Sequence, residues 1–301
     1  MDIAIMIEGQ NGLNWSRWQA MAKAVEEFGF AGLYRSDHFT NMNPPELDSL
    51  ELWVSLTWLA TNTKRIEFGP LVTPTSFRDP IFTARMAKDV DDLSGGRLIL
   101  GVGAGWQERE HVMFDYDLLE IAPRFERFEE SLQVMSALLR SEEPVTYDGA
   151  YYTLRDAVLL PRPQRAKGPP ILIGGSGLRR TLPLVARYAD EWNGVYLTAR
   201  GFAERNERLD ELLLTLGRQP ADVRRSLMTG LVFGRTEVAV QEKLGDRNAD
   251  ETRGRGLIVG APSAVQEQLA ALADAGVQRV MLQWLDLEAL DELEALAKAV
   301  L

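Results

Sequence analysis

Short runs of β-branched and other apolar residues alternate with amphipathic stretches along the whole chain. Ile3–Ile7, Gly32–Ser36, Ile66–Val72, Leu98–Val102, Ile171–Gly174, Trp192–Val195, Ser226–Phe233 and Arg279–Trp284 read as strands. Between them, Trp15–Phe28, Ile81–Leu93, Phe125–Leu139, Phe202–Leu216 and Ser263–Ala273 carry apolar residues at spacings of three and four, the mark of a helix with one buried stripe. Strands that alternate with helices imply parallel pairing through helical crossovers. Eight such units within 301 residues predict an α/β fold, a single (β/α)8 TIM barrel spanning 1–301, with insertions after strands four and seven.

The two insertions are visible as irregular spacing. Roughly seventy residues separate the fourth strand from the fifth, far more than one crossover helix needs. Within about 108–168, Thr146–Tyr152 reads as a hairpin turning at Asp148-Gly149. The stretch 243–256 is charged, contains glycine and has no apolar period, so a mobile loop and a candidate lid are expected there.

Composition narrows the chemistry. The chain has no cysteine, which excludes disulfides, thiolate metal sites and thiol catalysis, and no metal site is expected. A net charge of −11 without a basic patch argues against nucleic acid or anionic membrane as a partner. No apolar stretch approaches the roughly 20 residues of a membrane span. Met1 and Asp2 lead straight into an apolar strand, so an export leader is not expected and a cytoplasmic location is.

In such a barrel the residues just past each strand build the site. After the first strand stands Glu8, a carboxylate suited to proton transfer if part-buried. After the second come Asp37, His38 and Phe39. His38 titrates near neutrality and is the candidate proton carrier, and Asp37 is a candidate for binding cofactor hydroxyls. Pro70 and Pro74 in the third strand imply a distorted end, because proline cannot donate to the ladder, and Pro70, Leu71 and Thr73 there are candidate cofactor contacts, since strained backbone gathers at cofactor clamps. Gly101, Gly103 and Gly105 let a flat ligand approach the backbone after the fourth strand, and Trp106 offers a stacking face; Rossmann-type nucleotide binding is the alternative for this motif. After the fifth strand, Gly174-Gly175-Ser176-Gly177 opens a helix whose first turn holds Arg179 and Arg180. Free amides there, with two cations, point to a bound phosphate. His111 reads as a helix-surface residue.

Taken in order, Ser36-Asp37-His38-Phe39, Leu71-Val72-Thr73-Pro74, Asp92–Arg97 leading to Gly101–Trp106, Gly174–Gly177 and Ala189-Asp190-Glu191-Trp192-Asn193 resemble the bacterial luciferase-like superfamily, above all its deazaflavin (coenzyme F420)-dependent oxidoreductases. The resemblance covers nearly the whole chain. It implies a coenzyme ring in the barrel mouth against a non-prolyl cis peptide near Pro70-Leu71, its phosphate on Gly174–Gly177, Asp37 helping to hold it and His38 as proton donor or acceptor. It also implies a homodimer. The Glu that sugar-phosphate dehydrogenases of this group carry directly after the strand-four glycines is replaced by Trp106, so that activity is not implied. Glu8 matches a functional Glu of the pterin-linked reductases. The resemblance leaves FMN as the alternative coenzyme, in a monooxygenase fed by a reductase partner, and a coenzyme-binding barrel without catalysis as a third reading.

Overall fold

The computed structural model describes residues 1–301. In chain order it contains β1 (Asp2–Ile7), α1 (Trp15–Phe28), β2 (Gly32–Arg35), α2 (Leu52–Asn62), β3 (Glu67–Pro70), β4 (Thr73–Pro74), α3 (Pro80–Ser94), β5 (Leu100–Gly103), α4 (Glu108–Met113) and α5 (Ile121–Arg140). There follow β6 (Val145–Asp148), β7 (Thr153–Ala157), β8 (Ile171–Gly174), α6 (Thr181–Tyr188), β9 (Glu191–Val195), α7 (Ala199–Thr215) and β10 (Arg224–Phe233). The chain closes with α8 (Glu237–Leu244), α9 (Ala249–Gly254), β11 (Ile258–Gly260), α10 (Pro262–Asp274), β12 (Arg279–Gln283) and α11 (Leu290–Val300).

The strands pair in parallel in the order β3-β2-β1-β12-β10-β9-β8-β5-β4. β3 and β4 are two halves of one stave, so the sheet has the predicted eight staves. It closes where Ile99 N donates to the Phe68 carbonyl at 2.9 Å and Phe68 pairs with Leu98. The alternation of strand side chains sorts the core into two layers. Ile3, Ile5 and Ile7 face the helices, whereas Ala4 and Met6 join Tyr34, Leu71, Ile99, Leu172, Met228 and Met281 inside the barrel. At the N-terminal end the interior is plugged by Arg279, which donates to Tyr34 Oη at 2.6 Å and pairs with buried Glu191 at 3.1 Å.

Local chemistry sets the helix ends. The Asp79 carboxylate caps α3 by accepting from Ile81 N and Phe82 N, Pro80 stands in its first turn, and Gly95 at φ 73° turns the chain out of the helix. α1 starts on an Asn14 cap and ends the same way at Gly29, φ 96°.

Several details depart from the sequence expectation. The third strand is not continuous over Ile66–Val72; it breaks after Pro70 and resumes at Thr73. The non-prolyl cis peptide lies at Leu71-Val72, one residue beyond the expected place. The hairpin's connection is the four residues 149–152, closed by Gly149 N donating to the Tyr152 carbonyl at 3.0 Å, rather than a two-residue turn. The segment 243–256 is not an irregular loop. It holds the end of α8 and all of α9, with Asn248 capping α9 through Asp250 N and Glu251 N and Arg253 donating to the Val259 carbonyl. Helices of six and eight residues complete too few turns for a period to register. α2 escaped notice for the opposite reason, being apolar on most of its surface, and β11 has only three residues.

Candidate active site

A cavity of about 770 Å³ opens at the C-terminal ends of the barrel strands. Of the residues singled out by sequence, Glu8, His38, Leu71, Gly105, Trp106, Gly174 and Gly175 line it, and Asp37, Pro70, Thr73, Gly103, Ser176, Gly177 and Arg179 do not.

His38 follows β2 into the mouth. Its Nδ1 lies 2.8 Å from Glu110 Oε1, and the Trp106 ring meets its edge at a centroid distance of 5.5 Å. The other oxygen of Glu110 accepts from Phe39 N at 3.0 Å, and its side chain is 1% exposed. A carboxylate offers only acceptors, so His38 Nδ1 carries the hydrogen, and the neutral ring presents a bare Nε2 that has no partner within the protein. Burial works to lower the His38 pKa, but the hydrogen bond and charge of Glu110, with the charges of Glu8 and Asp37, outweigh it and the net shift is upward. Glu110 is a residue that sequence reasoning missed. It sits in α4, a six-residue helix too short to reveal which side faces inward.

His111, read as a surface residue, is buried at 1% exposure. Its Nδ1 meets the Gln107 carbonyl at 2.7 Å and its Nε2 the Ser76 hydroxyl at 2.7 Å, so both nitrogens serve to brace the turn after β5.

Glu8, beyond β1, accepts from Gln283 Nε2 at 2.7 Å and Gln10 Nε2 at 3.0 Å. Asp37 points elsewhere. Arg78 grips it through two donors, Nε at 2.9 Å and Nη2 at 2.7 Å, and Thr73 Oγ1 donates to it at 2.7 Å. Both candidates for direct contact with a ligand, Asp37 and Thr73, are thus spent on tying β2 to β4.

The glycines of β5 serve the third stave more than a ligand. A Cβ on Gly101 would overlap the Pro70 carbonyl oxygen, and one on Gly103 would lie 2.7 Å from Val72 Cγ2. Gly174 plays the same part from β8, where a Cβ would lie 2.9 Å from Val72 Cγ1. Val72 therefore fills the space these two glycines leave, and with Leu71 it forms an apolar wall of the cavity. Gly105, at φ 86°, turns the chain toward Trp106.

After β8, α6 begins at Thr181, so Arg179 and Arg180 precede the helix instead of forming its first turn. Arg180 lies over the Phe125 ring, 5.9 Å from its centroid. The backbone N–H groups of Ser176, Gly177, Leu178, Arg179 and Arg180 have no acceptor in the protein. One buried side-chain atom, on a residue that lines the cavity, has no partner. Ser226 Oγ donates to the Trp192 carbonyl and accepts from Asn193 Nδ2, each at 3.0 Å, which leaves Asn193 Oδ1 buried without a partner at the cavity wall. Buried polar atoms are rarely left so, and an acceptor here suits a ligand N–H. The free amides, on residues beside the cavity that are exposed from Gly177 onward, suit a phosphate. An apolar wall, an unpaired acceptor on a lining residue and a row of free amides beside the cavity fit a flat heteroaromatic coenzyme bearing a phosphate tail.

A parallel eight-stave barrel with this cavity at its C-terminal mouth defines a β/α-barrel protein built to hold a ligand above the strand ends. The chain belongs to the luciferase-like monooxygenase family, whose model matches residues 1–251. It is 32% identical over 181 residues to an F420-dependent glucose-6-phosphate dehydrogenase of Kineococcus radiotolerans, covering 60% of this chain and 51% of that protein. It is 34% identical over 167 residues to the 4-hydroxyprotoasukamycin monooxygenase of Streptomyces nodosus subsp. asukaensis, covering 55% and 43%. The chain thus spans about half the length of the curated relatives it matches. Among solved structures, an F420-dependent secondary alcohol dehydrogenase in complex with an F420-acetone adduct superposes with a TM-score of 0.86 at 18% identity, covering 100% of this chain and 99% of that one. The long-chain alkane monooxygenase LadA gives 0.82 at 15%, covering 99% and 90%. At these identities the superpositions establish the fold. No helix of the chain is long and apolar enough to cross a membrane.

Proposed function

We propose that this barrel is an oxidoreductase that exchanges electrons between deazaflavin coenzyme F420 and a small organic substrate. The observation that carries the reading is the His38–Glu110 pair at the cavity wall. It fixes the imidazole tautomer and leaves Nε2 free to take or return the proton that accompanies a two-electron step. A binder without catalysis has no use for such a group. Bound in the mouth, a deazaflavin supplies a two-electron carrier in which carbon replaces the flavin's ring nitrogen five. Leu71, Val72 and Trp106 would shelter its ring, Asn193 Oδ1 would accept from it, and the amides from Ser176 to Arg180 would hold its phosphate. Arg179, outside the cavity, would meet an acidic tail. Asp37, Thr73 and Pro70 would act one step removed, by bracing the third stave. The 32% identity to an F420-dependent dehydrogenase supports this choice of coenzyme.

FMN in the same mouth, with a reductase partner and oxygen, is the second reading, supported by the 34% identity to a monooxygenase. We further propose a homodimer, which rests on the family resemblance, and a cytoplasmic location.

Titration of the purified protein with F420, FMN and FAD, followed by coenzyme fluorescence, tests the choice. Micromolar or tighter binding of F420 alone is expected. Preference for FMN moves the protein to the monooxygenase reading, and failure of all three to bind overturns both.

A further inference from the structure

Glu8 is the centre of a hydrogen-bonded belt along one side of the cavity. Tyr196 Oη donates to Gln283 Oε1 at 2.9 Å, Gln283 Nε2 donates to Glu8 Oε1 at 2.7 Å, and Gln10 Nε2 donates to Glu8 Oε2 at 3.0 Å. Ser36 Oγ donates to Gln10 Oε1 at 2.6 Å, and Gly9 N donates to Ser36 Oγ at 2.9 Å. Every bond in this belt points its hydrogen toward the carboxylate. Each of the two amide side chains has its oxygen committed to a hydroxyl donor, so neither flips cheaply to offer Glu8 an acceptor. Glu8 is held as an acceptor, with a lone pair left on each oxygen beyond those the amides use.

The rest of the cavity carries no charge that would balance an anion. Its remaining titratable groups are His38, already matched to Glu110, and Tyr196, and no lysine or arginine lines it. The nearby guanidinium groups are engaged elsewhere: Arg35 by Ser55 and the Leu50 carbonyl, Arg78 by Asp37 and Glu51, Arg109 by Glu46 and the Asn41 carbonyl. The rest of the wall includes apolar side chains, among them Met6, Met42, Leu47, Val195 and Met228. A carboxylate or phosphate placed here would lose water and face Glu8 without a counter-charge.

We infer that Glu8, locked by Gln10 and Gln283, is the substrate-selecting acceptor of this site. The substrate class it selects is an apolar organic molecule bearing a hydroxyl or amine donor and no anionic group. The inference rests on the reading of the cavity as a substrate site, but not on which coenzyme shares it.

Three probes of one ring size separate the possibilities: cyclohexanol, cyclohexylamine and cyclohexanecarboxylate, titrated into the full-length protein by ligand-observed NMR with and without F420. The alcohol and the ammonium are expected to bind at least about tenfold more tightly than the carboxylate, one unfavourable charge contact being worth roughly that factor. Glu8→Gln is expected to remove most of the preference for the ammonium over the carboxylate. Comparable or tighter binding of the carboxylate to the natural protein overturns the inference, as does failure of both donors to bind up to about 0.1 M, where even very weak sites fill. These results need no variant, so they stand even if Glu8→Gln folds poorly. Because the probes are also titrated without coenzyme, selectivity that persists when F420 does not bind rejects the coenzyme assignment alone. F420 binding with anion preference rejects the substrate class alone.

Discussion

The imidazole Nδ1 of His38 lies 2.8 Å from Oε1 of Glu110, a carboxylate that the chain reaches only after passing through β3, β4 and β5. The contact decides both the tautomer and the charge of the ring. Glu110 cannot donate, so the hydrogen stays on Nδ1, and its negative charge favours imidazolium over imidazole.

Replacing Glu110 by Gln keeps the side chain's shape and removes the charge. With burial still lowering the His38 pKa and the principal opposing group gone, that pKa is expected to fall. Ring-proton NMR reads this directly, because the chain has only two histidines. The stability effect has a definite sign. A histidine whose pKa is raised on folding stabilises the native state fully below the unfolded value of about 6.5, and that stabilisation is lost as pH rises through the folded pKa. The deficit of Glu110→Gln relative to the natural protein should therefore be larger at pH 5.5 than at pH 9 in denaturant titrations. An equal deficit at both pH values would show that Glu110 acts on the fold and not on the charge of His38.

His38→Ala should separate chemistry from binding. If the ring carries the proton of the proposed reaction, turnover is expected to fall by about 10²- to 10⁴-fold, the usual worth of a positioned acid–base group. Coenzyme affinity should change only a few-fold, since the amides from Ser176 to Arg180 and Asn193 Oδ1 are untouched. A matching loss in binding and turnover would make His38 a coenzyme ligand instead.

Asp37 makes the contrasting prediction. Its two oxygens take two donors from Arg78 and one from Thr73, and its side chain is 7% exposed. Removing one partner of a buried ion pair costs about 3–5 kcal/mol, and Asp37→Ala should lie near the lower end because Arg78 keeps Glu51 at 2.8 Å. A lower urea midpoint with an unchanged slope is the expected result. A fully stable variant that no longer bound coenzyme would return Asp37 to direct contact with the ligand.

The adjacent residues Asp37 and His38 illustrate what the sequence could and could not disclose. Their place after a strand follows from a short apolar run between helical stretches, and with it the whole eight-stave plan, because such runs and the helical period are local properties. Which of the two faces the cavity depends on Arg78 and Glu110, supplied by other elements at long range, and no local pattern contains that information. The same limit hid Asn193, which appeared only as the end of a phrase, since its exceptional feature is an acceptor left over after Ser226 is satisfied. His111 was misread because α4 is too short to show its buried side. The glycines of β5 were legible as sites of close approach, but the approaching group proved to be the protein's own third stave.

That last relationship can be tested by a cycle. On Gly101 a Cβ would meet the Pro70 carbonyl, part of a backbone hydrogen-bonded on its other side to β2, and nothing there can yield. On Gly103 it would meet only the Val72 side chain, 2.7 Å from Cγ2. Gly101→Ala is therefore expected to prevent folding or destabilise severely, whereas Gly103→Ala should cost about 1–3 kcal/mol, the usual range for overpacking. Trimming the obstacle should recover part of that loss, so Gly103→Ala combined with Val72→Ala should be more stable than the sum of the two single changes predicts. The same trimming opens the cavity wall, and the double variant should bind coenzyme more weakly than the natural protein even where its thermal midpoint is restored. Strict additivity in the cycle would mean that Val72 and Gly103 do not share the space the structure assigns to them.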